Sequence, residues 1–177
     1  MNIVKKMNKV LWLFFLFTPC FSYADVRLEV TATMINPACN IRSENNSSPL
    51  KIGFGSINPK SLKNADTSKN FSLYLSNCNF GNELAIVLNP KGYNTLNYQG
   101  RNILATSIEG LGVDFSNVTD DSARSIEISK KERISPKKIS SDLYKVDLKA
   151  ELVNTIPVNE LELGKFASTI TVAVVYY

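Results

Sequence analysis

Apolar and polar residues alternate along most of the chain, which is the period of half-buried β-strands. Seven runs after residue 36 follow this pattern: Leu50–Ile57, Asn70–Cys78, Glu83–Leu88, Ile103–Phe115, Ser125–Ser129, Tyr144–Leu152 and Phe166–Tyr177. No segment shows a sustained helical period. Turn residues separate the runs at intervals typical of a β-sandwich. The pattern therefore predicts an all-β sandwich.

Three features refine this prediction. Gly110 and Gly112 interrupt the run Ile103–Phe115 and are interpreted as bulge positions within one long strand. The charged run Lys130–Lys138 contains Pro136 and predicts a solvated loop. A second loop is expected at Asn89–Arg101, which carries Tyr93 and Tyr98.

The first 24 residues have the organisation of a secretory signal peptide. Three lysines precede the short apolar run Val10–Phe17, and the small residues Ser22 and Ala24 fit a cleavage site before Asp25. The apolar run is too short to span a bilayer, and no later stretch approaches the length of a spanning helix. The sequence therefore predicts export of a chain without a membrane span.

Charge and composition exclude some functions. The chain has 20 Lys and Arg against 16 Asp and Glu, but the signal peptide holds three of the lysines and none of the acids. The exported chain is nearly neutral, so nucleic-acid binding is not expected.

The sequence contains no histidine, which removes Ser-His-Asp and Cys-His catalysis and disfavours catalytic zinc. The carboxylates of Asp114, Asp120 and Asp121 lie near one turn and are interpreted as an exposed acidic turn rather than a hydrolase site. We therefore expect no enzymatic activity, no metal and no cofactor.

Two cysteines, Cys39 and Cys78, remain once Cys20 is removed with the signal peptide. A single cysteine pair in an exported protein predicts one disulfide. Two unpaired buried thiols are the alternative. A metal site is disfavoured because no histidine or further cysteine could complete it.

A separate strand is predicted at the start of the exported chain. Apolar residues alternate with polar ones at Val26, Leu28, Val30, Ala32 and Met34, and Asn36-Pro37 separates this strand from the rest. It is either the first strand of its own sandwich or a strand that adds to the sheet edge of another molecule.

The last predicted strand places Phe166, Ile170, Val172, Val174 and Tyr176 on one face and continues to Tyr177. Chain ends are usually frayed unless something holds them. We therefore expect this end to be paired or bound by a partner. The alternative is the last core strand of a complete sandwich.

Several segments resemble the pilins of chaperone–usher fimbriae, and most closely the minor tip-adaptor subunits of P-type fimbriae. The resemblance rests on the start at Asp25-Val26, on Ile35–Ile41, Ile52–Ile57 and Leu104–Ile108 with Gly112-Val113 after it, and on the spacing from Gly164 to Tyr176. That spacing is similar to the motif by which pilins bind their periplasmic chaperone.

The resemblance implies an immunoglobulin-like sandwich that lacks its last strand and is completed by donor-strand complementation. The chaperone is expected to insert a strand beside Phe166–Tyr176 and to hold the carboxylate of Tyr177 with basic residues. The implied chaperone-binding and acceptor-groove residues are Gly164, Phe166, Ile170, Val172, Val174, Tyr176 and Tyr177. The outer-membrane usher then exchanges the chaperone strand for that of the next subunit.

The resemblance also implies that Val26, Leu28, Val30, Ala32 and Met34 fill successive pockets in the groove of a neighbouring subunit. Ala32 stands where the family commonly has glycine, so its methyl group bears on which neighbour accepts the strand. The implied organisation is a signal peptide (1–24), a donor strand (25–36) and a pilin domain (37–177).

The expected function is that of a structural fimbrial subunit, a minor or tip-adaptor pilin that supports cell adhesion. It would pass through the periplasm to a cell-surface fimbrium. Its partners would be a periplasmic chaperone, the usher, neighbouring pilins and a tip adhesin. The alternative is a self-contained exported β-sandwich that binds carbohydrate or a host protein, with Tyr93 and Tyr98 available to stack on sugars.

Overall fold

A computed structural model describes residues 39–45, 49–62, 67–120 and 122–177. The predicted signal peptide and the predicted donor strand, with Val26, Leu28, Val30, Ala32 and Met34, lie outside the described residues.

Antiparallel strands make up most of the described chain. They are β1 (Asn40–Ser43), β2 (Ser68–Ser76), β3 (Leu84–Pro90), β4 (Thr95–Tyr98), β5 (Arg101–Ala105), β6 (Leu111–Asn117), β7 (Arg124–Ile126), β8 (Lys131–Ile134), β9 (Lys137–Ser140), β10 (Leu143–Asn154) and β11 (Ile170–Tyr176). Two single-turn 3₁₀ helices, Pro59–Ser61 and Val158–Glu160, lie in the connections.

The strands form two sheets. The large sheet has the order β1-β2-β10-β6-β5-β4, with β7 beside β6 and β9 beside β10. The small sheet has the order β11-β3-β8. The core-facing positions follow the period-two pattern: Leu73 and Leu75 on β2, and Leu84, Ile86 and Leu88 on β3, are all buried. The prediction of an all-β sandwich is confirmed.

The run Ile103–Phe115 was predicted to be one strand, and this is wrong because it forms the hairpin of β5 and β6. Gly110 adopts a φ of +73°, a left-handed conformation that a side chain would strain. The Thr106 hydroxyl donates to the Leu111 carbonyl oxygen at 2.9 Å and accepts from the Ile108 N–H, which closes the turn. Gly112 lies inside β6, opposite Ala105.

The predicted loop Asn89–Arg101 also contains a strand, because β4 pairs with β5. Gln99 and Gly100 both have positive φ, at 51° and 81°, which is the two-residue turn that matches the twist of a hairpin. Tyr98 is therefore part of a strand and partly buried, whereas Tyr93 stays in the loop with 41% of its surface exposed.

The run Lys130–Lys138 is likewise not a loop, because it contributes β8 and β9. Strand β8 pairs with β3 and buries only Ile134, while Lys131 and Arg133 stay exposed. An edge strand needs few buried side chains and tolerates charge, so its hydrophobic pattern is weak in the sequence.

A candidate acceptor groove along the last strand

A groove runs between the two sheets beside β11. One wall is the segment 49–57 and the other is the segment 164–172. Three adjoining cavities of about 630, 430 and 560 Å³ open between these walls. The first adjoins Pro49 and Val172, and the third adjoins Ile57 and Gly164. The two walls therefore run in opposite directions, and the groove is continuous along them.

The floor of the groove is apolar. It is formed by core side chains of the large sheet, among them Leu104, Val113 and Phe115, with Leu88 of the small sheet at one end. Since apolar surface open to water is unfavourable, a groove of this kind is a site for another apolar segment.

Strand β11 continues the wall of residues 164–172 from Ile170 to Tyr176. It pairs with β3 from Ile170 opposite Pro90 to Tyr176 opposite Leu84, and no other described strand pairs with it. The side chains of Ile170, Val172 and Val174 pack against the core, and Val174 is 2% exposed. The edge of β11 that faces the groove is therefore paired with no described strand.

The predicted strand Phe166–Tyr177 begins later than expected, at Ile170. Residues 166–169 leave β3 and contact the β5–β6 turn instead. The Ser107 N–H donates to the Ala167 carbonyl oxygen at 3.0 Å, and the Ser168 hydroxyl donates to the Ala105 carbonyl oxygen at 2.6 Å. Phe166 still packs on the core, whereas Gly164 is exposed with open space where a side chain would start.

The opposite wall, Leu50–Ile57, was predicted to be a strand and is not one. It is paired with none of the described strands. Leu50, Ile52 and Phe54 nevertheless alternate toward the core, and the ring centroids of Phe54 and Phe166 lie 6.4 Å apart. The hydrophobic pattern was therefore interpreted correctly, but the pairing partner that a strand needs is absent from the described chain.

These wall residues were missing from the site predicted from the sequence. The predicted site contained only residues of the last strand, although Leu50, Ile52 and Phe54 show the same period-two alternation. That alternation beside Gly53 and Gly55 is the signal that could have identified the second wall.

Two tyrosines, Tyr176 and Tyr177, lie at the end of β11. The Asn79 N–H donates to the Tyr176 Oη at 3.2 Å, and the Tyr177 N–H donates to the Glu83 carbonyl oxygen at 2.9 Å. Tyr177 has 61% of its surface exposed, and Tyr176 39%. Tyr176 is thus held through its hydroxyl and Tyr177 through its backbone N–H, and both side chains remain accessible at the end of the strand.

A disulfide joins Cys39 and Cys78, as predicted. It links the residue before β1 to the second residue after β2, and β1 pairs with β2 from Asn40 opposite Ser76. Because Ile41 on β1 lines the groove, the disulfide holds in place the strand that borders the groove at this end.

Two of the three predicted acidic residues are held in ion pairs. Arg101 donates to both carboxylate oxygens of Asp114 at 2.8 and 2.6 Å, and Arg124 pairs with Asp120 at 2.8 Å. Asp121 lies outside the described residues. Both described carboxylates are therefore paired locally, and neither is among the residues that line the three cavities.

Among the described residues, no cluster of His, Cys, Asp and Glu has the arrangement of a metal site. None of the helices within the described ranges is long and apolar enough to cross a membrane.

Residues 26–177 match the family model described as fimbrial protein. This match covers most of the chain, and the protein belongs to the fimbrial protein family. The prediction of a fimbrial subunit is confirmed, and the family is one of structural pilus proteins.

Solved structures show the same fold at low sequence identity. The chain is similar to the P pilus rod subunit PapA (11% identity, TM-score 0.54, covering 79% of this chain and 99% of PapA). It is also similar to the P pilus adaptor subunit PapF (22% identity, TM-score 0.50, 80% and 97%) and to a subunit of a chaperone–usher pilus (12%, 0.51, 90% and 100%). Among curated proteins, none matches the sequence significantly.

Proposed function

We propose that this fimbrial subunit is assembled by donor-strand complementation, with the groove as the acceptor. The observation that carries this proposal is that both walls have backbone groups facing the groove that pair with no described strand. Strand β11 has a described partner only on its β3 side, and the segment 49–57 has none. A single extended strand laid between them would hydrogen-bond to both walls.

An inserted donor strand would explain why the floor of the groove is apolar. Alternate residues of an inserted strand point toward the floor, and each Val or Leu that becomes fully buried contributes about 1.5–3 kcal/mol. The successive cavities along the groove provide space for several such side chains.

The segment 25–36 of this chain is proposed as the donor strand for another subunit. Val26, Leu28, Val30, Ala32 and Met34 alternate as a donor strand requires. The methyl group of Ala32 selects for a neighbour whose groove has room at that position.

Before assembly, a periplasmic chaperone is proposed to fill the groove beside Phe166, Ile170, Val172, Val174 and Tyr176. Gly164 marks the start of this segment, and Tyr177 is proposed to be bound by basic residues of the chaperone. The outer-membrane usher then exchanges the two strands. The signal peptide predicted at residues 1–24 supports export, and the chaperone and usher steps rest on the sequence resemblance to pilins.

Within the fimbria, we propose a minor position next to a tip adhesin, so that the subunit supports adhesion indirectly. The proposal rests on the sequence resemblance to tip-adaptor pilins. Labelling of intact fimbriae tests it: an adaptor gives one or a few labels near the tip, whereas labels along the whole shaft would identify a rod subunit.

Deletion of residues 25–34 tests the donor role. We expect the shortened subunit to form a chaperone complex in normal yield, because its groove is unchanged. It should be unable to insert a strand into the groove of another subunit, because its donor strand is missing. A matched control carries the same segment with Val26, Leu28 and Val30 intact and only Arg27 changed to Lys. Finding the deleted subunit within a fibre, other than at its tip, would contradict the proposal.

A further inference from the structure

The outer face of the small sheet carries a group of contacts that the groove does not use. The guanidinium of Arg133 on β8 lies 4.4 Å from the ring centroid of Tyr177 and 2.9 Å from a carboxylate oxygen of Glu83. The Tyr177 N–H donates to the Glu83 carbonyl oxygen at 2.9 Å. We call Glu83, Arg133 and Tyr177 the outer-face clasp.

Arg133 can reach across β3 toward β11 because a small side chain, Ala85, lies between the two strands. Arg133 is directly opposite Ala85 on β3, and Ala85 is directly opposite Val175 on β11. Ala85 faces away from the core, since its neighbours Leu84 and Ile86 face inward. An arginine that reaches from β8 toward β11 therefore passes a methyl group rather than a large side chain.

The hydrophobic pattern of β11 leaves its register incompletely specified. A slip by one residue would bring Thr171 and Ala173 to the core face and is disfavoured. A slip by two residues that brings Ala173 opposite Asn89 places Val172 and Val174 where Ile170 and Val172 stand, and these side chains are similar in shape. The same slip brings Tyr176 to the position of Val174, so discrimination against it depends on the end of the strand.

We propose that the outer-face clasp sets the register of β11 on β3, which makes Arg133 a positioning residue for donor-strand capture. This inference rests on the proposed function of the groove. A two-residue slip moves every β11 side chain by about 7 Å along the groove. The pockets offered to a donor strand would then no longer line up with the opposite wall.

Disulfide trapping in the full chain measures the register directly. The pair Asn89→Cys with Thr171→Cys reports the observed register, in which these residues are opposite each other on the outer face. The pair Asn89→Cys with Ala173→Cys reports the slipped register. Without further change, the first pair should cross-link in much higher yield than the second.

Adding Arg133→Met removes the ion pair and the ring contact while keeping an unbranched side chain beside Ala85. The ratio of observed to slipped cross-link should fall about fivefold. Arg133→Lys keeps the charge and should lower the ratio less. Lys137→Met, an equal charge change on exposed β9, should leave it unchanged. An unchanged ratio in Arg133→Met would overturn the proposal.

Hydrogen exchange provides a second measurement if Arg133→Met does not accumulate. In the Arg133→Lys variant, the amide of Tyr177 should exchange about twofold faster than in the unchanged protein. The amide of Val118, which donates to the Asp147 carbonyl oxygen in the other sheet, is the internal reference. Equal exchange at Tyr177 would overturn the proposal.

Capture of a synthetic peptide with the sequence of residues 25–36 separates this inference from the proposed function. Slower capture by Arg133→Met than by Lys137→Met supports the positioning role. Equal capture despite an altered cross-link ratio overturns that role and leaves the acceptor groove standing. If no protein captures any donor peptide, the proposed function fails, and the cross-link ratio still decides whether the clasp sets the register.

Discussion

The small sheet has two edges of opposite character. Strand β8 carries Lys131, Glu132 and Arg133, and Glu132 occupies a core-facing position two residues from the buried Ile134. Strand β11, on the other side of β3, carries Val and Ala along its centre and opens on an apolar groove. Charge on an edge strand, including inward-pointing charge, opposes pairing with another chain. Charge therefore opposes strand pairing at the β8 edge, whereas the β11 edge carries no charged side chain.

A charge on the open edge should have the largest effect. Val174→Asp places a carboxylate where the side chain is 2% exposed, at a cost of more than about 4 kcal/mol. We expect the chaperone complex to be lost, as measured by its yield after co-expression.

Thr171→Asp is the matched control, because Thr171 lies on the exposed face of the same strand. It should leave the yield of complex nearly unchanged. A normal yield from Val174→Asp would show that this side of β11 does not bind a donor.

Phe166→Ala tests the contact between the two walls. Loss of the half-buried ring and of its contact with Phe54 should lower the stability of the strand-filled protein by about 2 kcal/mol. Thermal unfolding of the protein with its groove occupied measures the change. Tyr93→Ala, at an exposed ring outside the groove, should shift the midpoint much less, and equal shifts would count against a wall role for Phe166.

Glu132→Val tests the protected edge. We expect a change in stability within about 0.5 kcal/mol but a new tendency to self-associate, because the core-facing positions of β8 would become continuously apolar. Size-exclusion chromatography at increasing concentration measures this. Glu162→Val removes the same charge outside the strands and is the control. If Glu132→Val stays monomeric, the charge of Glu132 is not needed to prevent self-association.

The smallest effect is expected at Glu127, beside the start of β8. A hydrogen bond from Lys130 lowers the pKa of this carboxyl below its ordinary value of 4.5, and the Asn102 N–H adds to the effect. A lowered folded-state pKa means that the stabilisation is present above about pH 4.5 and is lost as the pH falls through the folded value. The free energy of unfolding should therefore fall slightly less between neutral and acid pH in Glu127→Gln than in the control variant Glu109→Gln. Identical pH dependence in the two variants would contradict this.

The strands that were predicted well from the sequence are those with a regular series of buried apolar residues. Strands β2 and β10 alternate between buried and less buried residues, β3 is a nearly continuous apolar run, and all three match their predicted runs closely. The hairpin turns at Gly110 and at Gln99-Gly100 were missed because positive φ values are not apparent from hydrophobicity. Strand β8 was missed because its edge position replaces apolar residues with charged ones.

The two walls of the groove differ in what the sequence indicated. The residues of β11 were included in the predicted site because of their apolar alternation, while the wall at Leu50, Ile52 and Phe54 was predicted as a strand and not as part of the site. That this segment pairs with no described strand is a tertiary property, which local alternation does not encode. The clasp of Glu83, Arg133 and Tyr177 depends on register between three strands, which no local pattern encodes.

The central claim is that the sandwich lacks one strand, and thermal unfolding tests it most directly. Residues 37–177 with the Cys39–Cys78 disulfide intact would be compared with the same chain extended after Tyr177 by a flexible linker and the strand of residues 25–34. A scrambled strand of the same composition is the control. We predict that only the chain with the correct strand melts cooperatively. A cooperative transition in the unextended chain, at the same midpoint, would contradict the account.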